Sequence, residues 1–348
     1  MPPAALEQPL LAVTMGDAAG IGPEVIVRAW SESRVHAHCR PIVLGHPQVL
    51  QRAVELVGAD CQIRVVHEPS ELRGLPTDGK TLSCLRVGSD ELLEASPGRV
   101  DRRTGQAAYE AVVRAAEGAL RGEFQGLVTA PLCKAALHAA GHHYPGHTEL
   151  LAELCGVDDF AMMLYLPQEE LPRSEAGLGV VHVTLHMALR DVFACLTPDA
   201  VLAKCRLATT VMRDGFDLPT PRIGVCALNP HAGEEGLFGD EESRVIAPAV
   251  QQARREGIDA SGPWPADTLM VRARDGEFDA IVAMLHDQGH IALKLLGMHR
   301  AVNVTLGLPI VRTSVAHGTA PDRAWQGMAE ASGMVAAMLT AAKLARRR

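Results

Sequence analysis

Short apolar runs alternate along the chain with stretches whose apolar positions recur every three to four residues. Residues 10–14, 41–44, 63–66, 126–129, 162–166, 180–184, 222–227, 280–285 and 302–305 read as strands, several of them apolar throughout as in a sheet buried on both faces. Residues 105–121 place Ala108, Val112, Ala115 and Ala119 at helical spacing. Strands alternating with helices predict an α/β protein with a largely parallel sheet. Active sites of such sheets gather at the carboxyl ends of strands. Asp17, His186, Asn229, His231, His286 and Asp287 all follow predicted strands. No repeat and no long linker interrupts the pattern, so any domain division is expected between tightly connected lobes, with the chain crossing more than once.

At 348 residues the chain can bury a large core in two domains or one divided one. Its 47% hydrophobic and 21% charged residues are those of a soluble globular enzyme. A net charge of −8 offers no phosphate-tracking surface, which argues against nucleic acid as a partner. The eight cysteines form no CxxC, no secretory signal opens the chain, and no apolar run approaches membrane-spanning length. A cytoplasmic protein with reduced thiols and no membrane partner is expected, its basic end (Lys343 and Arg346 to Arg348) capping a solvated helix.

The richest segment is residues 284–327. It offers a possible metal ligand in His286, a set suited to an anion in Lys294, Asn303 and Arg312, and a glycine-bearing loop over residues 317–322 that ends in an acid. His186, His231 and His286 are metal candidates, since neutral imidazoles ligate zinc-like ions, and three ligands with one open position suit catalysis. Each histidine also reads as an ordinary hydrogen-bonded residue. The first loop, residues 15–24, has glycines for a sharp turn but matches neither GxGxxG nor a P-loop. Thr148 reads equally as a helix N-cap or, with His147, as a ligand contact at a helix start. Asn303 and Arg312 lie in or beside apolar stretches, where an anion shared with Lys294 would satisfy them. In residues 317–322 (His317, Gly318, Thr319, Ala320, Pro321, Asp322), a turn allows close approach to a nucleotide, and a carboxylate against ribose would favour NAD over NADP.

Taken together, MGDAAGIGPEV, YPGHTELLAEL, ALNPHAGEEGLFGDEE, PADT, HDQGHIALK, VNVTLGLPIVRTS and HGTA resemble, in order from Leu11 to Gly327, the 4-hydroxythreonine-4-phosphate dehydrogenase family. The wording of residues 141–154 and 286–297 looks more like its second subgroup, which includes threonate and erythronate 4-phosphate dehydrogenases. The 317–322 loop is similar to the adenosine-binding loop of isopropylmalate and isocitrate dehydrogenases. The resemblance implies a two-domain α/β/α subunit with mainly parallel sheets and an interdomain cleft. The NAD-binding domain would comprise residues 1–138 plus 308–348, and the metal, substrate and dimerisation domain residues 139–307. It implies a homodimer with a shared active site, and one divalent metal per subunit on His186, His231 and His286, with zinc first and magnesium or cobalt as alternatives. Substrate contacts fall on His147, Thr148, Lys294, Asn303 and Arg312. Asp267 and Asp287 match acids near the site, and His147, Asp267, Asp287 and Lys294 form the catalytic set.

Two departures stand out. The usual GDPAG or GEPAG is GDAAG here, replacing a rigid proline with Ala18, and the segment after HGTA, usually resembling FDIAGKG, is PDRAWQG, bringing Arg323 and Trp325. The implied activity is NAD-dependent oxidation and decarboxylation of a small anionic phosphorylated hydroxy acid. A cis-dihydrodiol dicarboxylate from terephthalate breakdown is the alternative substrate, and a metabolite-binding protein without turnover is the non-enzyme alternative.

Overall fold

The computed structural model describes residues 8–72, 75 and 77–346. Arg347, Arg348 and the first seven residues, on which part of the terminal readings above fall, lie outside this set. Among the described residues there are twelve strands: β1 (Leu10–Thr14), β2 (Arg40–Gly45), β3 (Gln62–Val66), β4 (Thr81–Arg86), β5 (Gly126–Thr129), β6 (Ala161–Leu166), β7 (Leu178–His182), β8 (Ile223–Cys226), β9 (Ala260–Trp264), β10 (Ala280–Ala283), β11 (Val302–Leu306) and β12 (Arg312–Val315). The helices that position candidate residues are α1 (Gly22–Trp30), α2 (Pro47–Val57), α3 (Arg102–Leu120), α4 (His147–Cys155), α5 (Ala266–Arg274), α6 (His286–Gly297) and α7 (Ser332–Ala345).

The chain forms two compact units, one running to Asp158 and resuming at Leu308, the other spanning Asp159–Gly307. The first therefore keeps α4, with His147 and Thr148, which the expected boundary at residue 139 had put in the other domain. Its strands lie in the order β3-β4-β2-β1-β5-β12, and every neighbouring pair is parallel. Leu11, Ala12, Val13 and Thr14 of β1 have no exposed surface, as a central strand covered on both faces requires. Helix starts and stops follow local chemistry. Pro47 opens α2, the His46 ring accepts from the Gln48 amide at 3.3 Å, and left-handed Gly58 closes it.

In the second unit the order is β11-β6-β7-β10-β8-β9. Here the largely parallel expectation fails locally, because β6 runs antiparallel to both β11 and β7. The remaining pairs are parallel. Carboxyl ends of β7, β8 and β10 consequently share one edge, and the loops carrying His186, His231 and His286 leave from it. Among the described residues no helix is long and apolar enough to cross a membrane.

Candidate functional site

In the first unit, backbone bonds fasten the loop after β1 to three other segments. The Ile21 amide donates to Thr319 O at 3.1 Å, the Asp17 amide to Pro131 O at 2.9 Å, and the Gly98 amide to Ala19 O at 2.8 Å. Gly16 has φ +71, and a Cβ there would lie 2.3 Å from Pro131 O, so this turn admits only glycine. Glu24, with no exposed surface, accepts from the amides of Trp325 and Gly327. These bonds hold residues 317–327 over the start of α1. His317, Gly318 and Asp322 are exposed, and apart from its chain neighbours no described residue comes within 4 Å of the place a Gly318 side chain would take. The loop is thus fixed at its base and open above, which fits a nucleotide laid along it.

The same unit holds a buried cation. Arg312 on β12 is only 2% exposed and donates to Thr129 Oγ1, at the end of β5, at 2.7 Å. Burial lowers its pKa to about 10, so it remains a cation near neutral pH. His147 opens α4, and its shielded Nε2 has no hydrogen-bond partner among the described residues. Burial, and then the Arg312 charge, push its pKa well below the usual imidazole value. It is a neutral ring whose Nε2 can accept a hydrogen bond. The helix N-cap is Gly146 rather than Thr148, which lies inside the first turn.

The second unit holds the other candidates. His286 opens α6, and its Nδ1 meets Asp287 Oδ1 at 2.7 Å, the carboxylate–histidine pairing that leaves Nε2 for a metal. The ring of His186 lies 5.8 Å from that of His286, centre to centre. This donor pair fits a divalent ion that prefers nitrogen. His231 does not complete a trio with them, since among the described residues no group of three or more His, Cys, Asp or Glu side chains is placed to hold a metal ion. It begins a left-handed segment, with φ between +43 and +81 from His231 to Glu235. That strained course is braced by buried Glu242, which accepts from the amides of Leu228 and Asn229 at 2.9 and 2.7 Å.

His290 was not anticipated, yet it stacks on His286 with ring centres 3.8 Å apart and planes 11° from parallel. Its Nδ1 lies 3.2 Å from Nε2 of His182, a second unforeseen residue at the end of β7. A Gly289 Cβ would fall 2.4 Å from that same Nε2, so glycine is what admits the His182 ring. The signal was available in HDQGH, where a second histidine follows the first by one helical turn. Lys294, one turn further, continues the stripe. Asn303, on β11, has its Oδ1 buried without a hydrogen-bond partner among the described residues. Asp267, in the first turn of α5, and Asp287 are both solvent-exposed.

Residues 37–341 match the family model described as pyridoxal phosphate biosynthetic protein PdxA. A D-threonate 4-phosphate dehydrogenase of Cupriavidus necator is 44% identical over 98% of each chain. A 4-hydroxythreonine-4-phosphate dehydrogenase of Trichlorobacter lovleyi is 43% identical over 97% of this chain and 98% of its own. The crystal structure of a 4-hydroxythreonine-4-phosphate dehydrogenase from Klebsiella pneumoniae superposes with a TM-score of 0.85 at 40% identity, covering 97% of this chain and all of the other. With its loops, buried arginine and paired histidines set in that frame, the chain belongs to the PdxA family of 4-hydroxythreonine-4-phosphate dehydrogenases, which includes the threonate and erythronate 4-phosphate subgroup.

Proposed function

We propose that this protein is a divalent-metal-dependent NAD dehydrogenase that oxidises, then decarboxylates, a four-carbon phosphorylated hydroxy acid of the threonate 4-phosphate type. Family membership supports the coarser reading, an NAD-dependent dehydrogenase acting on a phosphorylated hydroxy acid. The observation that supports the finer one is the His286–Asp287 pair beside His186, in which Asp287 engages Nδ1 of His286 and leaves Nε2 for an ion.

A divalent ion, zinc by the nitrogen character of the donors, would supply Lewis acidity to the substrate alcohol, and NAD would accept its hydride. Arg312 binds the phosphate, with Lys294 as a second cation and Asn303 as a hydrogen-bonding partner. Thr148 lends a hydroxyl in the first turn of α4, where anions are favoured. His147, whose Nε2 has no hydrogen-bond partner among the described residues, is the group placed to receive the alcohol proton as hydride leaves. Asp287 orients His286, while Asp267 balances charge nearby. The resulting ketone lies β to the carboxylate; the bond to the carboxylate breaks, carbon dioxide departs, and the electron pair left behind is protonated. His317, Gly318, Thr319 and Ala320 carry the adenosine half of NAD, with Asp322 accepting from the ribose hydroxyls.

His231 lies on the segment that also presents Leu237 (73% exposed) and Phe238, and exposed Leu189, Phe193 and Leu295 belong to the same unit. A second copy would cover such side chains, and His231 would then ligate the partner's ion, giving a homodimer with shared sites. Incubation with NAD, zinc and D-threonate 4-phosphate tests the chemistry: NADH and carbon dioxide should form in equal amounts. NADH without carbon dioxide would remove the decarboxylation.

A further inference from the structure

Ala18 and Trp325, the two departures singled out in the sequence, touch: the indole Nε1 donates to Ala18 O at 2.9 Å. Trp325 is held in a left-handed conformation, φ +60, by its own amide bond to buried Glu24. Two residues on, Gly327 donates to the other oxygen of Glu24 and accepts from the Arg28 guanidinium. The indole is therefore a fixed wall, and it borders a cavity of about 480 Å³.

Val49 and Leu56 of α2 line this cavity, with Leu92, Ala95 and Pro97 closing it. Arg52 and Glu55, one cation and one anion, supply its only charges among the described lining residues. Such a space, apolar, aromatic on one side and electrically balanced, suits a neutral flat heterocycle better than a phosphate. It is also continuous with the nucleotide loop. Ala19 O, one residue beyond the wall at Ala18, receives the Gly98 amide, and Gly98 approaches Pro321 O so closely that a Cβ would lie 2.6 Å from it. Trp325 itself follows Asp322 by three residues.

We propose that this cavity is the seat of the adenine ring of the dinucleotide, with Trp325 as its stacking surface. The inference rests on the NAD reading above and extends it to residues outside the 317–322 loop. Glu55 can accept from the exocyclic amine, and Arg52, whose guanidinium also donates to Leu93 O at 3.2 Å, can donate to a ring nitrogen.

Calorimetric titration of the full-length protein with NAD, AMP and nicotinamide mononucleotide tests this. Trp325→Ala should weaken NAD and AMP about tenfold or more, the scale of a lost base stack, and leave nicotinamide mononucleotide unchanged. Ala95→Phe, which fills the cavity without touching the 325–327 loop, should do the same while the melting temperature holds. If both folded variants bind NAD and AMP as the wild type does, the adenine lies elsewhere and the proposal is overturned. If the wild type binds neither NAD nor AMP, the dinucleotide reading fails first and takes this inference with it.

Discussion

The ring of His290 lies flat against that of His286, 3.8 Å away, and is itself tied to His182. His286 is thus braced on one face by His290 and at Nδ1 by Asp287. Partners of this kind typically tune metal affinity by about 10- to 100-fold. His290→Leu should accordingly weaken zinc binding, measured by competition with a chelating dye, by at least about tenfold with the fold retained. Unchanged affinity would make the stack mere packing.

His286→Ala should abolish both zinc binding and turnover while circular dichroism and the metal-free melting temperature stay near wild type. Full activity in metal-free His286→Ala protein would refute the metal role. His231→Ala should behave likewise, and mixing it with the His286→Ala protein should restore part of the activity if the ligands come from two copies.

Arg312 is buried and donates to Thr129, and a point charge on a flexible stem does not replace its planar fork. Arg312→Lys should lower kcat/KM for the phosphorylated substrate by about a hundredfold, roughly 2.7 kcal/mol of transition-state stabilisation. Steady-state kinetics showing less than a threefold change would remove Arg312 from the phosphate site.

Asp322 is 79% exposed, so a substitution there tests the ribose contact with little risk to the fold. Asp322→Lys should shift preference from NAD toward NADP. An unchanged ratio of kcat/KM for the two cofactors would count against the assignment.

Burial, above all, lowers His182 to about 3 and His290 to about 4. The unfolded chain, with imidazoles near about 6.5, then binds protons before the folded one as pH falls. Stability from this pair is full above about pH 6.5 and is lost as pH falls toward the folded values. In metal-free protein, His182→Leu should flatten the decline of the urea midpoint between about pH 7 and pH 5. A slope identical to wild type would show that other groups dominate.

Strands with continuous apolar runs were legible: β1 and β5 fall on the expected residues, and β2, β3, β6, β8 and β11 within a residue or two. β12 was missed because Arg312, Thr313 and Ser314 look like loop residues. They are buried there by specific partners, Thr313 Oγ1 donating to Ala337 O at 2.9 Å. β9 hides behind its Gly-Pro pair, and β4 behind the polar residues in TLSCLR. The antiparallel turn of β6 has no local signature, since strand direction depends on the connection rather than on side-chain alternation. The left-handed course at His231 was equally unreadable, because distant Glu242 holds it and not its own residue types. By contrast, that His286 and Asp287 follow a strand, and that a glycine-bearing loop ends in Asp322, could be read from order along the chain alone, while the bond between the His286 and Asp287 side chains could not.

The most direct measurement is NADH formation by the purified protein supplied with zinc, NAD and, in parallel, D-threonate 4-phosphate, unphosphorylated threonate and the terephthalate cis-dihydrodiol. NADH should accumulate with the phosphorylated acid, stop on chelation of the ion and return when zinc is restored. Turnover that survives chelation, or that appears with the dihydrodiol and not with the phosphate ester, would contradict the account.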